Sequence, residues 1–448
     1  MSETLAADVA LCAVAAVMIC VAGAWVYLIR SMSATFRQVP YLDDDYDESG
    51  SGYGDGGGGG GGGDSSSRDS AKPAASGPVG CPMVSVILPA RNEENYIERC
   101  LESLAVQDYP NYEVVAIDDS SGDDTMNIIK RCARRHPGVI VPVSARPKPD
   151  GWMGKNWACM EGYRRAKGGL LLFTDADTHH TKGMMGLAVR RLLGGQLDAL
   201  TVMPRMLAPE FWTRATLPMI SVFLHTRFSA LNVNSPDSKT GYFFGSFFII
   251  RRETYLSVGA HEGVRGEMIE DGALGCRTKE AGHRMLMLRG EHLIEAVWAR
   301  DGHTLWNALK RLMIPMRAQY GWRTTAGVAT AVTFLLFAPF LALPGTVIPA
   351  VAAVATAAAS GGPWAGLVPA VLAASSSAAA SALVWAGAVL ESRTGLGIGV
   401  PYGLLAPVGG LVVAAGFLAG LARPNPSLSW RGRTYTSRDQ SADPFAAV

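Results

Sequence analysis

Leu172-Phe173-Thr174-Asp175-Ala176-Asp177-Thr178 closes an apolar run that begins at Gly169. A short apolar run of this kind reads as a buried strand, and here it opens into a loop on two carboxylates one residue apart. Along extended backbone, residues i and i+2 point the same way. The two aspartates are therefore expected on one side at the strand's C-terminal end. There they suit a hard divalent cation, which takes oxygen ligands. That is the chemistry of gripping a nucleotide diphosphate through its cation.

The same texture repeats upstream. Residues 84–88 read as a strand and 91–105 as a helix, with apolar residues at 97, 101 and 104. A second strand over 112–117 ends in Asp118-Asp119, and a helix follows over 124–135. Residues 139–143 give a third strand and 156–166 a third helix, ahead of the strand over 169–173. Such alternation predicts a mostly parallel sheet covered on both faces. Ligands of such sheets bind at the C-terminal ends of the strands, where both acidic pairs lie. Beyond 186 the pattern is less regular, with a strand expected over 243–251 and a helix over 269–281 that opens on Glu270-Asp271.

With 448 residues and a formal net charge of +1, the chain has no general basic character that would suit nucleic acid. Charges crowd into 85–325 and are nearly absent from 326–390 and 400–422. The seven cysteines (12, 20, 81, 100, 132, 159, 276) form no zinc spacing, as befits reduced thiols facing a cytosol. Residues 5–30 are apolar over the length of a spanning helix and have no basic segment ahead, which favours an uncleaved anchor over a signal peptide. Arg30 and Arg37 follow this stretch while Glu3 and Asp8 precede it, so the next segment is expected in the cytoplasm of a cell-membrane protein. Residues 41–80, acidic at 43–48 and with eight consecutive glycines at 56–63, read as a disordered tether.

A main domain is expected over 83–325. Within it, 211–231 and 305–323 mix aromatics with Arg and Lys, as interfacial helices do, although an ordinary packing helix reads equally well for 211–231. The apolar tracts 326–359, 364–390 and 400–422 make up a C-terminal membrane region over 326–422. Pro344-Gly345 divides the first tract, so four spans are expected. An even number returns the basic tail, 423–448, to the cytoplasmic side.

Four motifs stand in order: Pro89-Ala-Arg-Asn-Glu-Glu94, Asp118-Asp119-Ser-Ser-Gly-Asp-Asp-Thr125, the Asp175/Asp177 pair, and Glu270-Asp271 in its helix. In this succession residues 84–300 resemble the inverting family-2 glycosyltransferases of the GT-A fold. Gly151-Trp-Met-Gly-Lys-Asn-Trp-Ala158, the apolar tracts at both ends and Trp430-Arg-Gly-Arg-Thr-Tyr435 look like the membrane-bound branch that includes hopanoid-associated and carotenoid glycosyltransferases. The resemblance implies an α/β nucleotide-diphospho-sugar transferase domain with a mostly parallel sheet, set between N-terminal and C-terminal transmembrane helices. It implies that Asp118 and Asp119 contact base and ribose, beside Pro89, Arg91 and Glu93. Asp175 and Asp177 become the DxD motif, touching the ribose and a Mg2+ or Mn2+ ion on the diphosphate. Asp271 becomes the general base, and Lys155 a neutraliser of the diphosphate. The implied partners are a nucleotide-diphosphate sugar, a lipid or other amphipathic acceptor, and the bilayer.

Blander readings exist for each residue. Asp118-Asp119 and Glu270-Asp271 can act as helix caps, since Asp is a good N-cap. Lys155 can be structural or solvated, because Gly154-Lys155-Asn156 is not a P-loop. His179-His180 read as loop residues. The Gln-x-x-Arg-Trp signature of processive synthases is not met, for Gln319-Tyr-Gly-Trp322-Arg323 reverses its end. A single transfer is thus favoured over chain extension. The alternatives are a polyprenyl-phosphate sugar synthase, a polysaccharide synthase, and a non-catalytic membrane subunit that binds nucleotide sugars.

Overall fold

The computed structural model describes residues 3–44, 81–360, 367–422 and 428–435. In chain order the elements are α1 (Glu3–Gln38), β1 (Val84–Ala90), α2 (Ile97–Ala105), β2 (Tyr112–Asp118), α3 (Thr125–Arg135), β3 (Ile140–Ser144), α4 (Gly154–Arg165), β4 (Leu170–Phe173) and β5 (Thr178–His180). Then come α5 (Met184–Gly194), β6 (Ala199–Met203), β7 (Arg205–Leu207), α6 (Phe211–Arg227), α7 (Ala230–Asn234), β8 (Phe248–Arg251), α8 (Arg252–Ser257), α9 (Ala260–Gly263) and α10 (Glu270–Glu280). The remainder is β9 (Met285–Arg289), β10 (Ile294–Val297), α11 (Gly302–Ser360), α12 (Leu367–Leu390), α13 (Val400–Leu404), α14 (Ala406–Leu421), β11 (Leu428–Trp430) and β12 (Arg433–Tyr435).

Seven strands form one sheet in the order β3-β2-β1-β4-β8-β6-β9. Every pair is parallel except the two that β8 makes with β4 and β6. The α/β class and the mostly parallel sheet are therefore as the alternation expected. Buried on both faces, the strands are nearly continuous apolar runs. Val84, Val86 and Leu88 pack toward α2, α3 and α5, while Ile87, Val115 and Ile117 pack toward α4. That second contact is close. A Cβ on Gly162 of α4 would lie 2.5 Å from Ile117 Cδ1 and 2.7 Å from Ile87 Cγ2.

Some boundaries differ from the sequence reading. The helix expected over 91–105 begins only at Ile97, because Asn92 has φ +53 and the Glu93 amide donates to Thr125 Oγ1 at 2.8 Å. The strand expected over 243–251 is short, and 243–247 form a loop across the strand ends. Residues 41–44, expected as the start of a tether, are instead held against the domain. Pro40 O and the Leu42 amide bond the Arg289 backbone at 3.0 and 2.8 Å, and Leu42 is buried in the core. The rest of that segment, 45–80, lies outside the described residues, as do 423–427 and 436–448 of the tail.

Three helices are long and apolar enough to cross a membrane: Leu5–Gln38, Gly321–Ala359 and Leu367–Gly395; Ala406–Leu421 is shorter. The division expected at Pro344-Gly345 does not occur, so 326–422 holds two such helices among the described residues rather than four. An apolar stretch has no water to satisfy the backbone groups that a break would free. The real interruption is at Gly321, whose φ of +77 separates 302–320 from the apolar part of α11.

Contacts give the directions of these helices. Gly387 of α12 abuts Trp25 of α1, and Gly395 abuts Phe36, so the two run parallel. The apolar part of α11 runs against them, since Trp25 Nε1 donates to Leu335 O at 2.8 Å while Ala13–Met18 face 333–342. Helix α6 packs its buried Met219 and Phe223 against α14 and exposes Phe211 and Trp212 at its start. Replacing Gly162 by Val should overpack the face between α4 and the sheet. A loss of about 1–3 kcal/mol is expected, read as a lowered denaturation midpoint of the purified chain.

Candidate active site

The site lies at the C-terminal ends of β1, β2 and β4. Two loops are laced together there. Asn92 Oδ1 accepts from the Gly122 amide at 2.9 Å, the Asp119 amide donates to Ala90 O at 2.9 Å, and Arg91 Nη1 donates to Asp119 O and, at 2.7 Å, to Ser120 O. These bonds place Asp118 and Asp119 in the cleft, both buried, each with an Oδ1 that has no hydrogen-bond partner. Burial pushes the Asp119 carboxyl above its ordinary range, against the pull of Arg433. Pro89 lies within β1, opposite Ile117 in register.

Beyond β4 the backbone turns at Ala176-Asp177 instead of continuing as a strand. The two aspartates consequently face different partners, contrary to the expectation of a shared side. Lys155 Nζ is 2.8 Å from Asp175 Oδ1 and 2.6 Å from Glu270 Oε1. Asp177 Oδ2 instead lies 3.2 Å from Arg300 Nη2 and 3.2 Å from Arg431 Nη2. Both guanidinium groups also engage Glu93, Arg431 at 2.6 Å. Arg433 pairs with Asp119. Downstream, His179-His180, expected in a loop, form β5. His180 is buried between Thr174 and Thr178, and burial holds it down at about 3.

Asp271 is brought in by glycines. The loop 241–247 lies directly on α10, where a Cβ on Gly275 would be 2.7 Å from the Phe243 amide. Gly245 then sits against the cluster: a Cβ there would be 2.5 Å from Asp271 Oδ2, 3.0 Å from Lys155 Nζ and 3.1 Å from Asp175 Oδ2. Asn156 fixes the other side of α10. Its Nδ2 donates to Val264 O at 2.6 Å and Glu267 O at 3.0 Å, and the Met153 amide donates to Arg265 O at 2.7 Å. The start of α4 and the approach to α10 thus hold each other, with Lys155 between the acids.

Electrostatics follow from this packing. Burial opposes the Lys155 charge, but Asp175, Glu270 and Asp271 outweigh it and hold the ammonium well above its ordinary pKa. Burial first, then Glu270 and Asp175, pushes Asp271 up to about 7. Glu93 is likewise pushed up to about 7 by burial and by Asp177, against Arg431 and Arg300. Asp177 is raised by burial and by Asp175. Seven acidic side chains (Glu93, Asp118, Asp119, Asp175, Asp177, Glu270, Asp271) meet five basic ones (Arg91, Lys155, Arg300, Arg431, Arg433). That surplus of oxygen donors has the chemistry a hard divalent cation takes, while Asp175 and Asp177 face different partners. Among the described residues, the group of three whose ligand atoms lie within 4.8 Å of one another is not in the cleft but is Glu98, Glu102 and Cys132 between α2 and α3. There Arg135 already binds both glutamates at 2.6 Å.

Of the residues that the sequence singled out, Arg91, Glu93, Asp118, Asp119, Lys155, Asp175, Asp177 and Asp271 meet around this cleft, with Pro89 in β1 just before it. Arg300, Arg431, Arg433 and Gly245 were not singled out. A hairpin signal was present for the tail, since Arg431-Gly432 sits between Trp430 and Arg433-Thr434-Tyr435 as a two-residue turn.

The family described as "Glycosyltransferase like family 2" matches residues 82–317. A 4,4'-diaponeurosporenoate glycosyltransferase of Staphylococcus aureus is 30% identical over 198 residues, covering 43% of this chain and 50% of the relative. The chain spans about half the length of the curated relatives it matches. A mannosyltransferase from Pyrobaculum calidifontis, solved with GDP-Man and Mn2+, is 20% identical, with a TM-score of 0.47 over 89% of this chain and 99% of that one. TarS of S. aureus with UDP-GlcNAc is 19% identical, with a TM-score of 0.36 over 52% of this chain and 66% of that one.

Lys155→Met should leave three acidic groups without their shared cation. We expect it to destabilise the chain by about 3–5 kcal/mol. Adding Glu270→Gln should recover part of that loss, and chemical denaturation of both variants measures the coupling.

Proposed function

We propose, since this chain belongs to the glycosyltransferase-like family 2, that it moves one sugar from a nucleotide-diphosphate donor to the hydroxyl or carboxyl of a lipid-like acceptor. The single inverting displacement uses Asp271 as the general base. What carries this reading is the meeting of Asp175, Lys155 and Asp271 around Gly245, although the acids come from different ends of the domain. Asp118 and Asp119 each keep a buried acceptor oxygen open, and such oxygens suit the N–H of a base or the hydroxyls of a ribose. Pro89, Arg91 and Glu93 shape the same wall, and Arg91 holds the Asp119 loop in place.

A Mg2+ or Mn2+ ion held by Asp175 and Asp177 supplies neutralisation of the departing diphosphate. Asp271 takes the proton from the attacking oxygen as the new bond forms, and a carboxylate titrating near 7 is matched to that task. Lys155 offsets the charge of Glu270 and Asp175, so Asp271 can lose and gain its proton without unbalancing the cluster. The acceptor reaches this face from the bilayer. The catalytic domain lies on the cytoplasmic side, where Arg30 and Arg37 follow the first apolar segment.

Membranes carrying the chain, given radiolabelled nucleotide sugars with and without Mn2+, should yield labelled lipid on extraction. Asp271→Asn should slow the transfer about 10²–10⁴-fold, Asp175→Ala should abolish it, and deleting 56–63 should leave it intact. Products that lengthen with time would identify a polysaccharide synthase instead. Polyprenyl-phosphate glycosylation that survives Asp271→Asn would identify a phosphate acceptor. Absence of any metal-dependent donor turnover would leave a binding subunit.

A further inference from the structure

The tail hairpin β11–β12 enters the cleft from the far end of the chain. Trp430 pairs with Arg433, and the two-residue turn between them has φ +50 at Arg431 and φ +77 at Gly432. Positive φ at both positions marks the mirror-image turn that suits a tight hairpin, and glycine takes it without strain. The turn puts Arg431 at the tip. Its carbonyl accepts from Arg91 Nε at 3.0 Å and from Asn92 Nδ2 at 3.1 Å, so the tip is docked on the β1 loop by its backbone. Its side chain is thereby left to reach Glu93 and Asp177, beside Arg300.

We infer that Arg431, together with Arg300, forms a two-armed clamp for the diphosphate of the donor, and that the C-terminal hairpin is a working part of the donor site. This rests on the glycosyl-transfer reading above and deepens it. Three observations support it. Both guanidinium groups converge on the same two carboxylates, pairing with Glu93 and sharing one oxygen of Asp177 at 3.2 Å, longer than charge-assisted bonds usually run, so two cations are held side by side on one wall of the cleft. Arg300 Nε is buried without a hydrogen-bond partner. A guanidinium fork matches phosphate oxygens bidentately, which a carboxylate already shared with a second arginine cannot offer.

The hairpin brings two cations, Arg431 and Arg433, to a cleft that must receive an anionic donor. Without a donor, the arginines rest on the carboxylates. With a donor bound, Arg431 would turn from Asp177 to the phosphate oxygens, and Asp177 would then be open to a divalent cation.

The full chain, purified in detergent, is titrated with UDP, GDP and ADP in the presence of Mn2+ by calorimetry. Whichever of these the wild type binds is compared with its monophosphate. Arg431→Ala should weaken the diphosphate at least 10-fold, the loss of one charge-assisted pair, and the monophosphate less. Arg431→Lys should fall between, because the charge stays and the fork goes. Arg134→Ala, on the exposed end of α3, should match the wild type. If Arg431→Ala lowers the melting temperature of the ligand-free chain, Arg431→Lys decides the matter, and wild-type affinity in that variant overturns the clamp. Unchanged or tighter diphosphate binding in Arg431→Ala overturns it as well, and tighter binding would mark the hairpin as a plug. A wild type that binds none of the three diphosphates removes the parent reading, and this inference with it.

Discussion

Lys155 is an ammonium largely withdrawn from water, and one half of the cleft is arranged around it. Taken out of water alone, such a group costs several kcal/mol or loses its proton. Of the three acidic groups that face it, Glu270 is buried as well, while Asp175 and Asp271 are half-buried. Asp175 arrives at the end of β4, and Glu270 and Asp271 arrive on the first turn of α10. The glycines at 241, 245 and 275 make the approach possible by keeping the loop 241–247 against α10. Asn156 closes the arrangement from the other side by holding three carbonyls of the segment that leads into α10. A neutral polar clamp and a buried charge cluster thus support each other across the same two helix starts.

The other half of the cleft is built differently. Around Glu93, Asp119 and Asp177 the counter-charges are arginines, and two of them come from a hairpin that follows the last helix. Lys155 sits on a helix locked from both sides, whereas Arg431 and Arg433 are held through a turn that rests on two side chains, Arg91 and Asn92. The contrast suits a division of labour in which one side must keep its geometry and the other must change partners.

The sheet was legible because strands buried on both faces cannot avoid being apolar runs. The acidic motifs were legible because carboxylates stood directly after those runs. What escaped did so for physical reasons. The first helix starts six residues late because Asn92 and Glu93 bond the neighbouring loop, a contact invisible in local sequence. Asp175 and Asp177 face apart because the backbone turns, while the spacing alone assumed extension. Arg300, Arg431 and Arg433 went unread because an arginine in a paired site looks like an arginine in water. For Arg431 and Asp177 the two partners are 254 positions apart. In sequence the tail arginines speak for membrane sidedness and for the Trp430–Tyr435 motif, and neither points to the cleft.

Sidedness and the site nonetheless constrain each other. An arginine that reaches Asp177 must lie on the side of the sheet, whatever happens between 321 and 421. The helices satisfy this with an out-and-back pair, since the apolar part of α11 runs against α1 and α12 runs with it. Gly395 ends beside Phe36, whose carbonyl accepts from Arg289 of the sheet at 2.7 Å. From there α14 remains near the domain. Its Gly409 meets Ala215 and Met219 of α6, and its Gly416 meets Leu309 in the first part of α11. At 16 residues it measures roughly 24 Å, less than the hydrocarbon core it would have to cross. The charge rule asks for an even number of C-terminal crossings, which two long apolar helices meet as well as four short ones would, and α11 stays helical through Pro344-Gly345.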